Sequence, residues 1–221
     1  MTVHRLVVCG TDTDVGKTVV SALLVQGLGA TYWKPVQCGL EGGGDSDRVK
    51  ALLDLPAQRV LPEAYRLAAP VSPHWAAAQE GQRIEAERLQ LPPLAGPLVV
   101  ETAGGLLVPL RLDLLQIEQL ERWGLPVLLV ARSGLGTLNH TLLSVEALGR
   151  RGLPLLGIVL NGPPHANNAA TLNALAGVPV LAQLPPLAPL DQAALVHQWE
   201  ASGLGQNLRL AQAPSPPPFR P

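Results

Sequence analysis

The sequence predicts a single α/β domain, a mostly parallel sheet with helices on both faces, and three observations lead there. Apolar, β-rich runs recur at Arg5–Cys9, Thr31–Val36, Pro97–Glu101, Pro126–Ala131, Leu155–Leu160 and Val178–Leu181, separated by helix-like stretches. The runs are continuously apolar rather than alternating, as expected of strands covered on both sides. The first run leads directly into GTDTDVGKT, Gly10–Thr18, a loop of small and turn-forming residues between a strand and a helix.

Element by element, the helices are expected near Gly16–Leu28, Asp113–Arg122, Thr137–Arg150, Ala166–Ala176 and Pro189–Ser202. Residues 41–96 are the least regular part, with Gly42-Gly43-Gly44, several prolines and short helical pieces. They are expected to wall the site over the sheet. Residues 1–210 read as one domain, and 211–221 as a proline-rich tail that makes neither a regular helix nor an inner strand.

The loop after the first strand points to a nucleotide triphosphate. Its backbone N–H groups can turn toward phosphate oxygens while the following helix presents its positive end. Lys17 adds a cation and Thr18 a hydroxyl for Mg²⁺. The spacing departs from the usual pattern, because Thr11 occupies the slot five residues before Gly16 and the extra glycine, Gly10, comes one place earlier. Together these features predict a P-loop NTPase-like fold.

Composition narrows the partners. A net charge of −1 without blocks of like charge leaves no electrostatic footprint for nucleic acid or an anionic membrane. The apolar runs stop well short of the roughly 20 residues that span a bilayer. Cys9 and Cys38 make neither a disulfide framework nor a metal cluster, and the N-terminus MTVHRLVV lacks a signal-peptide pattern, so a cytoplasmic location is expected. Of 16 cationic side chains only Lys17, Lys34 and Lys50 are lysines, which singles out the two at motif positions. A compact ammonium meets a phosphate oxygen where a planar guanidinium would crowd it.

Ligands of an open α/β sheet gather at the carboxyl ends of its strands. Those ends carry Trp33-Lys34-Pro35, Val100-Glu101-Thr102-Ala103-Gly104, Arg132-Ser133-Gly134, Asn161-Gly162-Pro163 and Gln183-Leu184-Pro185-Pro186. Glu101 reads as a Mg²⁺ ligand or water-orienting carboxylate, with Ala103 and Gly104 letting backbone approach a phosphate. Asp45 and Asp47 both precede a helical segment and either could cap it. Asp45 reads as the cap, which leaves Asp47 to reach Mg²⁺ with Thr18 and Glu101. Lys34 reads as a catalytic cation for charge developing at a transferring phosphoryl group.

GTDTDVGKT, YWKPVQCG from Tyr32, SPHWAAAQEG from Ser72, VETAGG from Val100 and GLGTLNHT from Gly134 together resemble the dethiobiotin synthetase family. The resemblance spans most of the chain, in order. It implies an ATP- and Mg²⁺-dependent cyclo-ligase that joins CO₂ to 7,8-diaminononanoate (7,8-diaminopelargonate) and closes a cyclic urea. It further implies that Thr11 and the backbone of Asp14, Val15, Gly16, Lys17, Thr18 and Val19 cradle the triphosphate, with Thr18, Asp47 and Glu101 on Mg²⁺. Thr11, Lys17 and Lys34 are the implied catalytic set. Asn161 would meet adenine, with Gly162, Pro185, Pro186 and Leu187 bordering the base.

The resemblance also implies a homodimer in which Gly136, Thr137, Leu138 and Asn139 hold the substrate carboxylate from the second subunit. Taken by itself, Thr137 reads as a helix cap, and His140 as structural. Ser72 falls in a segment that resembles the family's substrate-side loop, where His74 either touches ligand or buttresses the loop. Two departures stand out: Cys38 replaces the usual hydroxyl near the substrate amines, and Thr102 replaces glycine, putting a side chain near the phosphates. The alternative function is a P-loop switch ATPase controlling partner binding, although Thr11 and Asp12 occupy the positions where such proteins often carry an early lysine.

Overall fold

The computed structural model describes residues 5–211, so the expected tail lies outside the described residues except for Ala211. Seven strands form one parallel sheet: β1 (Arg5–Gly10), β2 (Thr31–Trp33), β4 (Val60–Leu61), β6 (Leu98–Gly105), β9 (Val127–Arg132), β10 (Leu155–Asn161) and β11 (Val180–Leu184). Their order is β11-β10-β9-β1-β6-β2-β4. Two small pairs lie apart from it, parallel β3 (Val36–Cys38) with β5 (Tyr65–Leu67) and antiparallel β7 (Pro109–Arg111) with β8 (Leu114–Leu115).

Helices cover both faces because strand side chains alternate. Leu6 and Val8 enter one core with α1 (Lys17–Leu28), α2 (Asp45–Leu53), α7 (Gln192–Ser202) and α8 (Leu204–Leu210). Val7 and Cys9 enter the other with α3 (Pro73–Gln79), α4 (Gln116–Trp123), α5 (Thr137–Arg150) and α6 (Asn168–Leu175). Both faces of β1 are therefore buried, which is why its sequence is uninterrupted apolar. Register aligns the carboxyl ends: Val8 lies beside Glu101, Trp33 beside Val100, and Asn161 beside both Arg132 and Leu184.

Where boundaries differ from expectation, local chemistry accounts for it. The run Thr31–Val36 stops as a sheet strand at Trp33, because Pro35 has no N–H to offer a ladder, and the chain resumes as β3 beside β5. Helix α4 starts at Gln116 rather than Asp113, since 109–115 form the β7–β8 pair and Glu118 accepts the N–H of Leu115 at 2.6 Å. Helix α7 starts after Asp191, whose carboxylate accepts the Ala194 N–H at 2.8 Å. The edge strand β4, two residues long, was not foreseen; so short a strand carries no periodicity.

Candidate active site

The loop Thr11–Gly16 leaves β1 and turns into α1 through two left-handed residues, Asp14 (φ 54°) and Gly16 (φ 94°). At Gly16 a side chain is excluded, because a Cβ there would lie 2.0 Å from Asn161 Nδ2. The displaced glycine, Gly10, has an equally local reason. A Cβ at Gly10 would stand 2.9 Å from Lys17 Nζ, which folds back over the loop to donate to Asp12 O at 2.8 Å. Asp12 in turn accepts from Arg132 at 3.0 Å, tying the loop to the end of β9.

Beside the loop lies a cavity of about 850 Å³, walled on its far side by residues 37–48 and 68–73. This is the role expected of the irregular region. At its floor a charged network is built around the buried Glu101 and Lys34. Glu101, fully buried at the end of the apolar part of β6, accepts on Oε1 from Thr18 Oγ1 at 2.9 Å and Lys34 Nζ at 3.1 Å. Its Oε2 accepts from the Tyr32 hydroxyl at 2.9 Å. Lys34 also pairs with Asp45, the first residue of α2, and Arg48 stands 3.6 Å from the other Asp45 oxygen.

These neighbours set the protonation of the network. Burial alone would lower the pKa of Lys34, but Glu101 and Asp45 outweigh it and hold the ammonium above its ordinary value. Burial pushes Asp45 up, and Lys34 overcomes that to hold the carboxyl below its usual range. Lys17 goes the other way: burial lowers it, only partly opposed by Glu101. Burial, with Glu101 adding, keeps the Tyr32 phenol protonated well above its usual range, so it donates. Thr18, Asp45 and Glu101 thus offer a hydroxyl and two carboxylates beside two lysines, the hard-oxygen chemistry that suits Mg²⁺ carried on phosphates. Among the described residues, no group of three or more His, Cys, Asp or Glu side chains makes a metal cage of its own.

Comparison with known proteins decides the family. Residues 4–194 match the family described as AAA domain. An ATP-dependent dethiobiotin synthetase BioD of Rhodopseudomonas palustris is 54% identical over 90% of this chain and 95% of its own length. A second, from Afipia carboxidovorans, is 52% identical over 86% of this chain and 91% of its own. The chain belongs to the dethiobiotin synthetase family. It is an ATP-dependent ligase of the cyclo-ligase class. The cell division ATPase MinD of Pyrococcus furiosus superposes with a TM-score of 0.58 at 18% identity, covering 95% of this chain and 97% of that one. At that identity the likeness shows the P-loop NTPase fold alone.

Of the residues that the dethiobiotin synthetase resemblance singled out, Asp14, Gly16, Lys17, Thr18, Val19, Lys34, Cys38, Ser72, Glu101, Ala103 and Gly104 line the cavity. Val15 is buried beneath the loop. The two aspartates exchange the positions expected of them. Asp47 accepts the Gly44 N–H at 2.9 Å and pairs with Arg66 at 2.7 Å, capping α2 on the exposed side. Asp45 faces Lys34. The reason is helical geometry: residues two apart on a helix face away from each other, and the third helical residue is the one that reaches back to the cap.

Thr102 does not line the cavity. Next to Glu101 on a strand, its side chain takes the opposite face, where its hydroxyl donates to Val8 O at 3.4 Å. Thr11 spends its N–H on Val130 O at 2.9 Å and lies outside the cavity lining. Asn161 donates from Nδ2 to Val15 O at 3.1 Å, bracing the loop from the β10 side, with Gly162 bonded to Leu184 O at 2.9 Å and exposed Pro185 and Pro186 following, then half-buried Leu187.

Gly136, at φ 89°, is the N-cap of α5, so the cap expected of Thr137 belongs to its neighbour. Buried Thr137 instead meets Thr141, hydroxyl to hydroxyl at 3.3 Å. Leu138 is half-buried, and Asn139 and His140 are exposed; none of the segment lines this cavity. Cys38 is a neutral thiol, its pKa pushed up by burial to about 11. Ser72 Oγ lies 3.1 Å from His74 Nδ1, so the imidazole buttresses a cavity residue.

Sequence reasoning overlooked Tyr32, Gln37 and Arg48 and misassigned Asp45. Gln37, nearly buried, accepts the Asp45 N–H at 3.0 Å and donates to Cys38 O at 3.0 Å, holding the glycine-rich loop closed onto α2. Tyr32 reads in sequence as one more aromatic of an apolar strand. Only the adjacency of Lys34 hinted that its strand ends in chemistry.

Proposed function

We propose that this chain carboxylates 7,8-diaminononanoate with CO₂ and MgATP and closes the ring to dethiobiotin, releasing ADP and phosphate. The observation that carries this reading is the convergence of Lys17, Thr18, Lys34, Asp45 and Glu101 on one cavity, in a chain 54% identical over 90% of its length to a dethiobiotin synthetase. A substrate amine attacks CO₂ and loses a proton, giving a carbamate. The carbamate oxygen attacks the γ-phosphorus and ADP leaves, giving a carbamic-phosphoric anhydride. The second amine attacks that carbonyl, and phosphate departs.

The chain's own groups position reactants and neutralise charge. The loop amides and Lys17 bind the terminal phosphates. Lys34, held protonated by Asp45 and Glu101, stabilises the carbamate and the transferring phosphoryl group. Asp45 in place of Asp47, with Thr18 and Glu101, would hold Mg²⁺, directly or through water. When bound, Mg²⁺ neutralises phosphate charge. Cys38 and Ser72 border the diamine. Asn161, Gly162 and Pro185–Leu187 border the adenine.

The enzyme acts as a cytoplasmic homodimer in which the α5 N-terminus, Gly136–Asn139, serves the neighbouring subunit's site. Its position outside the chain's own cavity and a fully exposed Leu135 beside it support that arrangement. The test is phosphate release from MgATP with bicarbonate, with and without the diamine. Diamine-dependent release with dethiobiotin detected by mass spectrometry is expected. Release indifferent to the diamine would reject the ligase reading in favour of a P-loop switch.

A further inference from the structure

We propose that Tyr32 is a positioning residue for the nucleotide-metal site, acting through Glu101. The inference deepens the functional reading above and rests on it. Glu101 is a fully buried carboxylate with two unlike oxygens. Oε1 faces the cavity, where it receives Thr18 at 2.9 Å and Lys34 at 3.1 Å. Oε2 faces inward, and among the described hydrogen bonds the Tyr32 hydroxyl, at 2.9 Å, is the donor to it.

A carboxylate is free to turn about its last torsion unless both oxygens are engaged, since that torsion is broad. Thr18 and Lys34 cannot supply the inner anchor, because in the proposed reaction Thr18 also serves the metal and Lys34 the carbamate and the transferring phosphoryl group. Tyr32 can, because its hydroxyl serves nothing else. Its ring is fully buried in the core beneath α1, and β2 is hydrogen-bonded to β6, with Tyr32 level with Val99. The hydroxyl is therefore delivered to Oε2 by the sheet itself. Held at Oε2, the carboxylate presents Oε1 and its charge to the cavity at all times. Without that bond, an oxygen is left unpartnered where no water reaches, and the group loses its fixed aim.

The experiment is Tyr32→Phe, which keeps the ring and removes only the hydroxyl, read by calorimetry of ADP binding with Mg²⁺ and with EDTA, and by turnover against Mg²⁺ concentration. The expected result is an affinity for MgADP weakened about tenfold, the scale of one hydrogen bond to a charged group, with metal-free ADP affinity unchanged. The Mg²⁺ concentration for half-maximal turnover should rise similarly while KM for the diamine stays put. In a Glu101→Gln background the Phe change should add no further loss, since coupled residues are not additive. Equal ratios of Mg²⁺-bound to metal-free affinity in wild type and variant, or full additivity with Glu101→Gln, would overturn the proposal. So would a Phe variant that fails to fold, which assigns the hydroxyl to stability. Wild-type protein without diamine-dependent turnover would instead reject the functional reading, while the calorimetric comparison still reports on Tyr32.

Discussion

Asp45→Asn and Asp47→Asn, made side by side, separate the two aspartates whose places the sequence reading exchanged. Asp45 is 16% exposed in its side chain and pairs with Lys34, which is 7% exposed; Asp47 is 54% exposed and pairs with Arg66, which is 42% exposed. Removing one partner of a buried ion pair costs about 3–5 kcal/mol. Glu101, 3.1 Å from the same ammonium, offsets part of that. Asp45→Asn should therefore cost about 2 kcal/mol, a fall in Tm of roughly 5 °C for a domain of this size. Asp47→Asn loses a capping interaction and a solvent-screened pair, together about 1 kcal/mol, or roughly 3 °C.

Turnover separates them further. Asp45→Asn should lose about a hundredfold, the scale of one misdirected electrostatic group, while Asp47→Asn stays within a few-fold of wild type. Because Asp45 is held below its usual 3.8, its stabilising contribution is present above that pH and lost as pH falls through its folded value. The stability gap between wild type and Asp45→Asn should accordingly narrow below pH 3.8. Denaturant unfolding from pH 3 to 7 and steady-state turnover measure both effects. Greater loss of turnover in Asp47→Asn than in Asp45→Asn would refute the exchange of roles.

Lys34→Ala should cut turnover by roughly a hundred- to a thousandfold while ADP still binds, read by calorimetry beside initial rates; near-normal activity removes Lys34 from the chemistry. Gly16→Ala should abolish nucleotide binding or soluble expression, because its Cβ falls 2.0 Å from Asn161 Nδ2. Gly29→Ala, left-handed at φ 61° with nothing within 4 Å, should cost only about 1–2 kcal/mol; equal effects would contradict the packing argument. Cys38, its thiol pushed up to about 11, should react with iodoacetamide at pH 8 about tenfold or more slowly than free cysteine, accelerating as pH climbs toward 11. Rapid labelling at pH 8 would show that burial does not govern the thiol.

Much of this protein was legible because its signals are local. A strand buried on both faces must be continuously apolar, a phosphate loop must follow it with turn residues, and ligand groups must collect at strand ends; all three rules act over a few neighbouring residues. Lys17, Thr18, Lys34 and Glu101, which the structure brings to one cavity, were singled out that way. Boundaries slipped where a proline or a capping carboxylate reset them, as at Trp33 and Gln116.

By itself, then, the sequence determined the α/β class, the P-loop NTPase fold, and the family, since ordered motifs over most of the chain do not depend on where elements end. The tertiary structure alone decided which aspartate faces Lys34, that the Thr102 hydroxyl meets Val8 O, and that Tyr32 reaches Glu101. The physical reason is the distance along the chain between partners: Lys34 and Asp45 are 11 residues apart, and Tyr32 and Glu101 are 69. No periodicity or motif carries such a pairing, because it exists only once adjacent strands and a covering helix have set the direction of each side chain.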